Sequence, residues 1–510
     1  MVREIILGAA RAFGDGSGVD RGLLQALSLA IDSRKLTTYA PLRKYWDGDH
    51  NVMLTDRMKQ FLSNSQIKDG KFSDNFMGVV IAAVSERLDV QGFTVPGEPS
   101  ADDGSPGALA QFANDQWALN RMDSMQKDVY NDALALGESY VITEWDEVVG
   151  GVRMSFNPPE LIRIEYDDGN YLLPTRATKK WNEQVLGING TVEEHTRMNV
   201  YYDNRIEKYT SAGRMGSDWR KWSDVPGGQW PIPWVDSTGF PLGIPVAHFL
   251  NNARGTTTGR SELKDLVNLQ DAINKALVDG VRVADSQGWP QRWATGLDSN
   301  QSDDIQASPG TIMHAGAPDS KFGEFPSADP TGAIAWMEHL TAHLAFISQT
   351  PQHLFRISGN TPSGEALKTA EAPLVRKVED RQAVYGNSWE DVMVMAAAVA
   401  NARGELGLEV PDTGFDTDWA EAETRSSEKE RIEGINLKEG ISLRQRMREY
   451  GYDSETITRI EDELKQEPDD IADALARAFN RLLLRPTHSS SSRGGARWRA
   501  RHHRPNGIRA

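Results

Sequence analysis

Apolar positions repeat along this chain with two periods, and the switch between them divides it. Up to residue 136 the spacing is three and four, which gathers side chains on one face of a helix. Leu23, Leu24, Leu27, Leu29 and Ile31 predict a helix over 21–34. Tyr39–Asn51 reads as a turn. Phe76, Val80, Ala83 and Val84 predict a helix over 73–88, followed by a short strand near Phe93 and a Gly/Pro loop over 96–106. Trp117, Leu119, Met122, Met125, Val129, Ala133 and Leu136 predict one long helix over 111–136, closed by Gly137. From Tyr140 the period drops to two. The runs Tyr140–Trp145, Val152–Phe156, Ile162–Tyr166, Tyr171–Leu173, Thr175–Trp181, Thr196–Tyr202 and Arg205–Tyr209 are β-branched or aromatic. Asp-Asp-Gly and Asn-Pro-Pro turns separate them, so they predict an antiparallel sheet and, with the helices before it, an α+β domain. Trp219, Trp222, Trp230 and Trp234 lie among prolines in a connection where aromatic residues are expected to form local core.

The stretch Gly259 to Ala400 organises the remainder. Leu266, Leu269, Ile273, Leu277 and Val281 draw one apolar stripe down a helix that Ser261 is placed to cap, with Glu262 at the positive helix end. Gly288-Trp289-Pro290 ends it, and a turn-rich insert runs to Pro326. A second helix begins where Asp329 can cap and Pro330 fits the first turn. It carries Met337, Leu340, Leu344 and Ile347 on one face until Thr350-Pro351. Gln352 to Ser363 contains Gly359 and Pro362 and cannot continue a helix. A third helix begins at Gly364-Glu365-Ala366-Leu367-Lys368 and runs to about Ala400, with a kink expected at Pro373. Pro411–Trp419 is acidic and loop-like; Ser426–Leu437, Ser442–Tyr450, Ser454–Gln466 and Asp469–Leu484 are short helices with serine or aspartate starts.

This order, together with SGEALKTAEAPLVRKVEDRQ at Ser363–Gln382, YWDGDHN at Tyr45–Asn51 and NFMGVVIAAVSERLDVQGF at Asn75–Phe93, resembles the portal (head-to-tail connector) proteins of tailed double-stranded DNA phages, of the siphophage type that infects actinobacteria. The likeness covers roughly residues 20 to 480 and rests on several stretches in order, not on one diagnostic motif. It implies an α+β portal fold: N-terminal region and wing (1–258), first stem helix (259–288), clip (289–328), second stem helix (329–350), tunnel loop (351–363), long kinked helix returning to the wing (364–414), helical crown (415–484) and basic tail (485–510).

The resemblance also implies a dodecameric ring at the capsid vertex of the virion, made in the host cytoplasm, through which DNA is packaged, retained and ejected. The implied partners are further copies of the chain, double-stranded DNA, the terminase large subunit, the major capsid and scaffold proteins, and head–tail connectors. The implied DNA-facing residues are His353, Arg356, Ser358, Gly359, Asn360 and Thr361; the implied ring contacts are Leu266, Leu269, Ile273, Leu277, Met337, Leu340 and Leu344; and Trp289, Arg292 and Trp293 fall in the clip. With only Arg356 and His353 as cations, the loop suits weak, register-independent phosphate contact, and weak contact is what sliding requires.

Composition narrows the classes. The chain has 510 residues, enough for several domains, and its hydrophobic and charged fractions, 39% and 25%, are ordinary for a folded soluble protein. It contains no cysteine, so disulfides, thiolate chemistry and cysteine–zinc sites are excluded. No apolar run reaches the about 18 residues of a membrane span, and the N-terminus meets charges and glycines too soon for a signal peptide. The net charge of −17 is unevenly placed. The tail from Arg485 holds seven arginines, among them Arg493, Arg497, Arg499, Arg501 and Arg504, and no acid. The first 484 residues therefore carry 49 bases against 73 acids. Such a body argues against a tight grip on DNA; it suits a surface DNA slides past, and equally serves solubility alone. The tail, with Trp498, suits DNA or an acidic partner, or is dispensable.

No enzymatic signature appears. Gly255–Gly259 before Arg260-Ser261 has three residues between its glycines, where a phosphate-binding loop has four and a lysine, and Gly359–Gly364 has the spacing but is followed by Glu365-Ala366. Asp47, Asp49 and His50 lack the spacing of a calcium loop. His339 and His343 sit four apart, a zinc-capable spacing, but no glutamate follows the first, and they read as a subunit-contact or solvent face. The expectation is a structural protein with no metal and no cofactor. The alternative is a metal-dependent hydrolase or nuclease using scattered carboxylates and histidines.

Overall fold

The computed structural model describes residues 20–50, 56, 60, 73–98, 107–167, 170–186, 190–213, 216, 218–223, 228–253, 255–288, 292–296, 319, 321–324, 331–355, 364–404, 406–408 and 414–423. The first helix, α1 (Arg21–Arg34), starts where the Asp20 carboxylate accepts from the Leu23 amide at 2.9 Å, the usual side-chain cap. It buries Leu24, Leu27 and Ile31 and leaves Leu29 outward. A π-helical turn, Lys35–Tyr39, carries the chain into α2 (Ala40–Trp46), with Pro41 in its first turn. Tyr39–Trp46 is therefore not the expected turn. The wider π turn brings Arg34 and Tyr39, five residues apart, onto one partner, Glu138.

Helix α3 (Phe76–Ser85) is capped by Asn75, and strand β1 (Val90–Thr94) follows. The single long helix expected over 111–136 is two, α4 (Ala108–Leu119) and α5 (Met122–Leu136). Arg121 between them is left-handed at φ 54°. The break frees the Asn120 side chain to donate to the Gln116 and Val152 carbonyls and accept from the Met154 amide at 2.9 Å, tying the helix to a strand edge.

The strands form two main sheets. One has order β10-β2-β3, from β2 (Glu138–Asp146), β3 (Gly151–Asn157) and β10 (Val246–Leu250). The other is antiparallel, in the order β4 (Ile162–Asp167), β5 (Asn170–Leu186), β6 (Val192–Tyr201), β7 (Arg205–Ala212) and β8 (Arg220–Lys221), with β9 (Ile232–Pro233) also pairing β7. The two predicted runs either side of Pro174 are one strand, β5, and Tyr166 pairs with Pro174 at an irregular register. The underside of this sheet packs Met198, Val200, Tyr209 and Trp219 against Leu24 and Leu27 of α1. Trp219 and Trp234 are buried, as local core should be.

Three helices complete the body: α6 (Val267–Gly288), α7 (Thr331–Ser348) and α8 (Gly364–Ala402), which continues through Pro373. Between α6 and α7, β11 (Arg292–Thr295) pairs antiparallel with β12 (Lys321–Glu324). The main core gathers α3, α5, β2, β10 and the three helices. At its centre Trp389 meets Trp117 and Phe249 edge-on at 4.8 and 4.7 Å and donates to the Tyr130 hydroxyl at 2.8 Å. Asp416–Trp419, read as loop and as the start of the crown, is a strand, β13, antiparallel to β1. The expected crown beyond residue 423 and the basic tail lie outside the described residues.

Candidate functional site

The foot of α6, the end of α7 and the first turns of α8 meet in one place, held by buried charge. Helix α6 starts six residues after Ser261, which is not its cap. The Ser261 hydroxyl donates to the Ala135 carbonyl at 2.6 Å and accepts from Leu263. Around it the chain satisfies the end of α5: the Glu262 amide donates to Leu134, and the Asn251 amide to Gly137, both at 2.9 Å. Gly259 lies directly on this backbone, where a Cβ would fall 1.6 Å from the Gly137 carbonyl oxygen.

Glu262 then pairs with two cations of α8, Lys377 at 2.7 Å and Arg381 at 2.8 Å. Burial alone would raise its carboxyl; the two cations hold it below the usual carboxylate range. Lys377 also donates to the Ser348 carbonyl at 3.1 Å, so one buried ammonium joins α8, the end of α7 and the run that leads into α6. The chain leaves α7 through Gln349, at φ 56°, into a 3-10 turn, Gln352–Phe355. Phe355 is buried edge-on to Phe76 at 5.7 Å. His353 Nε2 lies 3.3 Å from Glu371, which also receives Arg87 at 3.5 Å. His353, expected in the DNA-facing loop, lies in the 3-10 turn beside a carboxylate of α8. Arg356, Ser358, Gly359, Asn360 and Thr361 lie outside the described residues.

The stripe on α6 and α7 is inside one chain. Leu266, Ile273, Leu340 and Leu344 are buried, and Leu269, Leu277 and Met337 are half-buried. Leu266, Ile273, Leu340 and Leu344 do not wait for a neighbouring copy to cover them; the same chain does. The exposed apolar face of α7 is a different one: Trp336, Phe346 and Ile347, with Phe346 83% exposed; Ile334 is also exposed but flanks the buried line. Ile347, expected on the inward face, is on the outer one because the buried line passes through Ser348 instead.

Two polar residues inside the α6 stripe do work that the apolar pattern hides. Gln270 accepts from the Phe76 amide and donates to the Asp74 carbonyl, while Asn274 accepts from the Asp74 amide at 2.9 Å. Together they clamp the start of α3; their spacing of four within an apolar stripe is the signal for them. Asn274 also meets His50 Nδ1 at 2.8 Å, and His50 Nε2 meets the Tyr45 carbonyl at 2.9 Å. Both nitrogens of that histidine are occupied, so it offers no ligand to a metal. Among the described residues no group of three or more His, Asp or Glu is placed to hold one.

The family model for phage portal protein, SPP1 Gp6-like, matches residues 26–467. The chain belongs to this phage portal protein family. Two portal proteins, of Mycobacterium phage D29 and Mycobacterium phage L5, are each 24% identical to it, over 62% of this chain and 63% of theirs. The chain therefore spans less than two thirds of the length of these portal relatives. A chain in the neck of an empty GTA particle covers 79% of this chain and 95% of itself, at 11% identity and a TM-score of 0.41; that slight likeness decides nothing about assembly.

In portal terms, the insert expected to be the clip contains the pair β11–β12, with Arg292 and Trp293 on its first strand and Trp289 outside the described residues. Gly323 faces Trp293, where a Cβ would come within 2.4 Å of the indole, so a larger residue there would have to displace the indole. Arg493, Arg497, Arg499, Arg501 and Arg504 of the portal's tail lie outside the described residues. No described helix is long and apolar enough to cross a membrane.

Proposed function

We propose that this chain is a structural subunit of a phage portal: a cyclic ring at one capsid vertex through which double-stranded DNA enters, is held and leaves. The observation that carries this reading is the family match across residues 26–467. On it, terminase docks on the insert between α6 and α7 and head–tail connectors later take the same place, while capsid and scaffold proteins meet the outer sheets. Ring closure is supported by the face of α7 that a single chain leaves uncovered: Trp336, Phe346 and Ile347 need a neighbour, and a closed ring supplies one to every subunit. The segment after Phe355, rooted by the Phe76 and Glu371 contacts, is the stretch that faces DNA, with Arg356 its weak phosphate contact.

The test is the native mass of the purified protein with particle images of the same fraction. About twelve copies around a central hole is the expected result; a compact dimer without a hole overturns the reading. For the loop, Arg356→Glu is expected to reduce packaging or genome retention while rings still form. Unchanged packaging and retention would remove Arg356 from the DNA path.

A further inference from the structure

We propose that His339 and His343 form a two-histidine chelate for a borderline divalent transition metal ion, such as Zn²⁺, Ni²⁺ or Cu²⁺, on the exposed face of α7. The spacing of four on an unbroken helix puts both imidazoles on one side, one turn apart. Their ring centroids are 4.5 Å apart and both side chains are exposed. A histidine-bound zinc sits about 2.0–2.1 Å from each nitrogen, and the broad torsion of an imidazole about its Cβ–Cγ bond lets two rings this close turn one nitrogen each toward a shared ion.

The other described histidines sharpen the case, because each has a polar partner. His50 is held by Asn274 and a carbonyl, His248 by Glu138 and Tyr166, His195 faces Glu193 at 3.5 Å, and His353 faces Glu371. Both His339 and His343 are exposed and form ring contacts with each other and with Trp336, whose indole stacks on His339 at 5.6 Å, and among the described residues no hydrogen bond or ion pair engages them. An imidazole pair without a polar partner is available to a metal. Imidazole ligands favour these ions over magnesium or calcium, which take oxygen. With two protein ligands, water completes the coordination, so the ion is exchangeable and not a requirement for folding. Both ligands come from one chain, but Trp336, Phe346 and Ile347 share their side of α7, so the proposed ring contact would cover the pair and the ion is expected on the unassembled subunit.

The experiment titrates the full chain with NiCl₂ in metal-free buffer at neutral pH by calorimetry, beside His339→Ala, His343→Ala, the double variant and His353→Ala. His502 and His503 are adjacent in the tail and can take metal themselves, so the readout is the difference between wild type and double variant. The expected difference is one ion per chain, with each single variant weakening that ion by about tenfold or more and His353→Ala leaving it unchanged. The ion should also leave on acidification, as protons compete for the same nitrogens. A second readout uses CuSO₄: copper bound beside Trp336 should quench its fluorescence, and Trp336→Phe should remove that part of the quench while calorimetry still finds the ion. A double variant that binds as many ions as tightly as wild type overturns the proposal, as does a wild type whose binding His353→Ala weakens equally.

Discussion

The most demanding single residue is Glu138. It is buried at the start of β2, and its carboxylate uses its full accepting capacity: Arg34 and Tyr39 donate to Oε1, while Tyr140 at 3.0 Å and His248 at 2.8 Å reach Oε2. Because an ionised carboxylate only accepts, His248 Nε2 carries the proton and Nδ1 is left for the Tyr166 hydroxyl at 2.7 Å. Burial pushes the Glu138 carboxyl up, but His248, Arg34 and Tyr39 outweigh it and hold it at about 2, below its ordinary 4.5. The same carboxylate and burial push the Tyr39 hydroxyl well above its usual range. A depressed folded value means stability that is present above the unfolded value and is lost as pH falls from about 4.5 toward 2; the shift corresponds to about 3 kcal/mol. Denaturant midpoints at neutral and acid pH should show this. In Glu138→Gln the acid-dependent loss should shrink by about that amount, and neutral stability should fall by about 3–5 kcal/mol because Arg34 loses its buried partner.

At the scale of elements, the junction of α5, β2 and the run into α6 depends on two glycines in contact. Gly137, at φ 101°, ends α5 as a left-handed cap, and Gly259 lies against its carbonyl. Gly259→Ala must push two backbones apart, so its melting temperature should drop by an amount equivalent to 1–3 kcal/mol or more, about what an extra methyl in a packed core costs. Gly255→Ala is a poor control, since Gly255 itself sits at φ 75°; Gly280→Ala on α6 is a better one, because a Cβ there meets open space and alanine favours a helix. A melting temperature for Gly259→Ala equal to wild type would show that the approach relaxes without cost.

For the whole molecule, the prediction concerns which face of α7 joins copies. Leu340 and Leu344 are already covered by their own chain, so replacing them should unfold the subunit. Phe346 stands in solvent, so Phe346→Asp should leave the unfolding free energy of the subunit within about 0.5 kcal/mol of wild type, as surface changes do. It should nonetheless lower the population of rings by native mass. If Phe346→Asp assembles as wild type does, the outer face of α7 is not the ring contact. The acidic body makes the same assembly salt-dependent: copies carrying like charge repel, and screening should favour closure as ionic strength rises.

Among the described residues the order and the helical or extended character of most segments, and the family, were legible in the sequence, because periodicity and turn chemistry act within a few residues. Helix α1 and the strands β2 to β7 show this, their cores falling where alternating or three-and-four spacing placed them. What covers each apolar stripe was not legible. Leu266 to Leu344 form a stripe whether the partner is the same chain or the next, and only packing shows that it is the same chain. The break at Asn120, the π turn after Arg34 and the strand at Asp416 also came from partners far along the chain: Met154, Glu138 and the edge of β1. Local propensity favoured helix or loop there, and a distant hydrogen-bond donor or acceptor decided otherwise. Burial and pairing across long sequence separations are properties of the folded chain alone, so the sequence by itself set the elements and their kinship, while the tertiary structure decided which surfaces they spend on one another and which they leave for a neighbour.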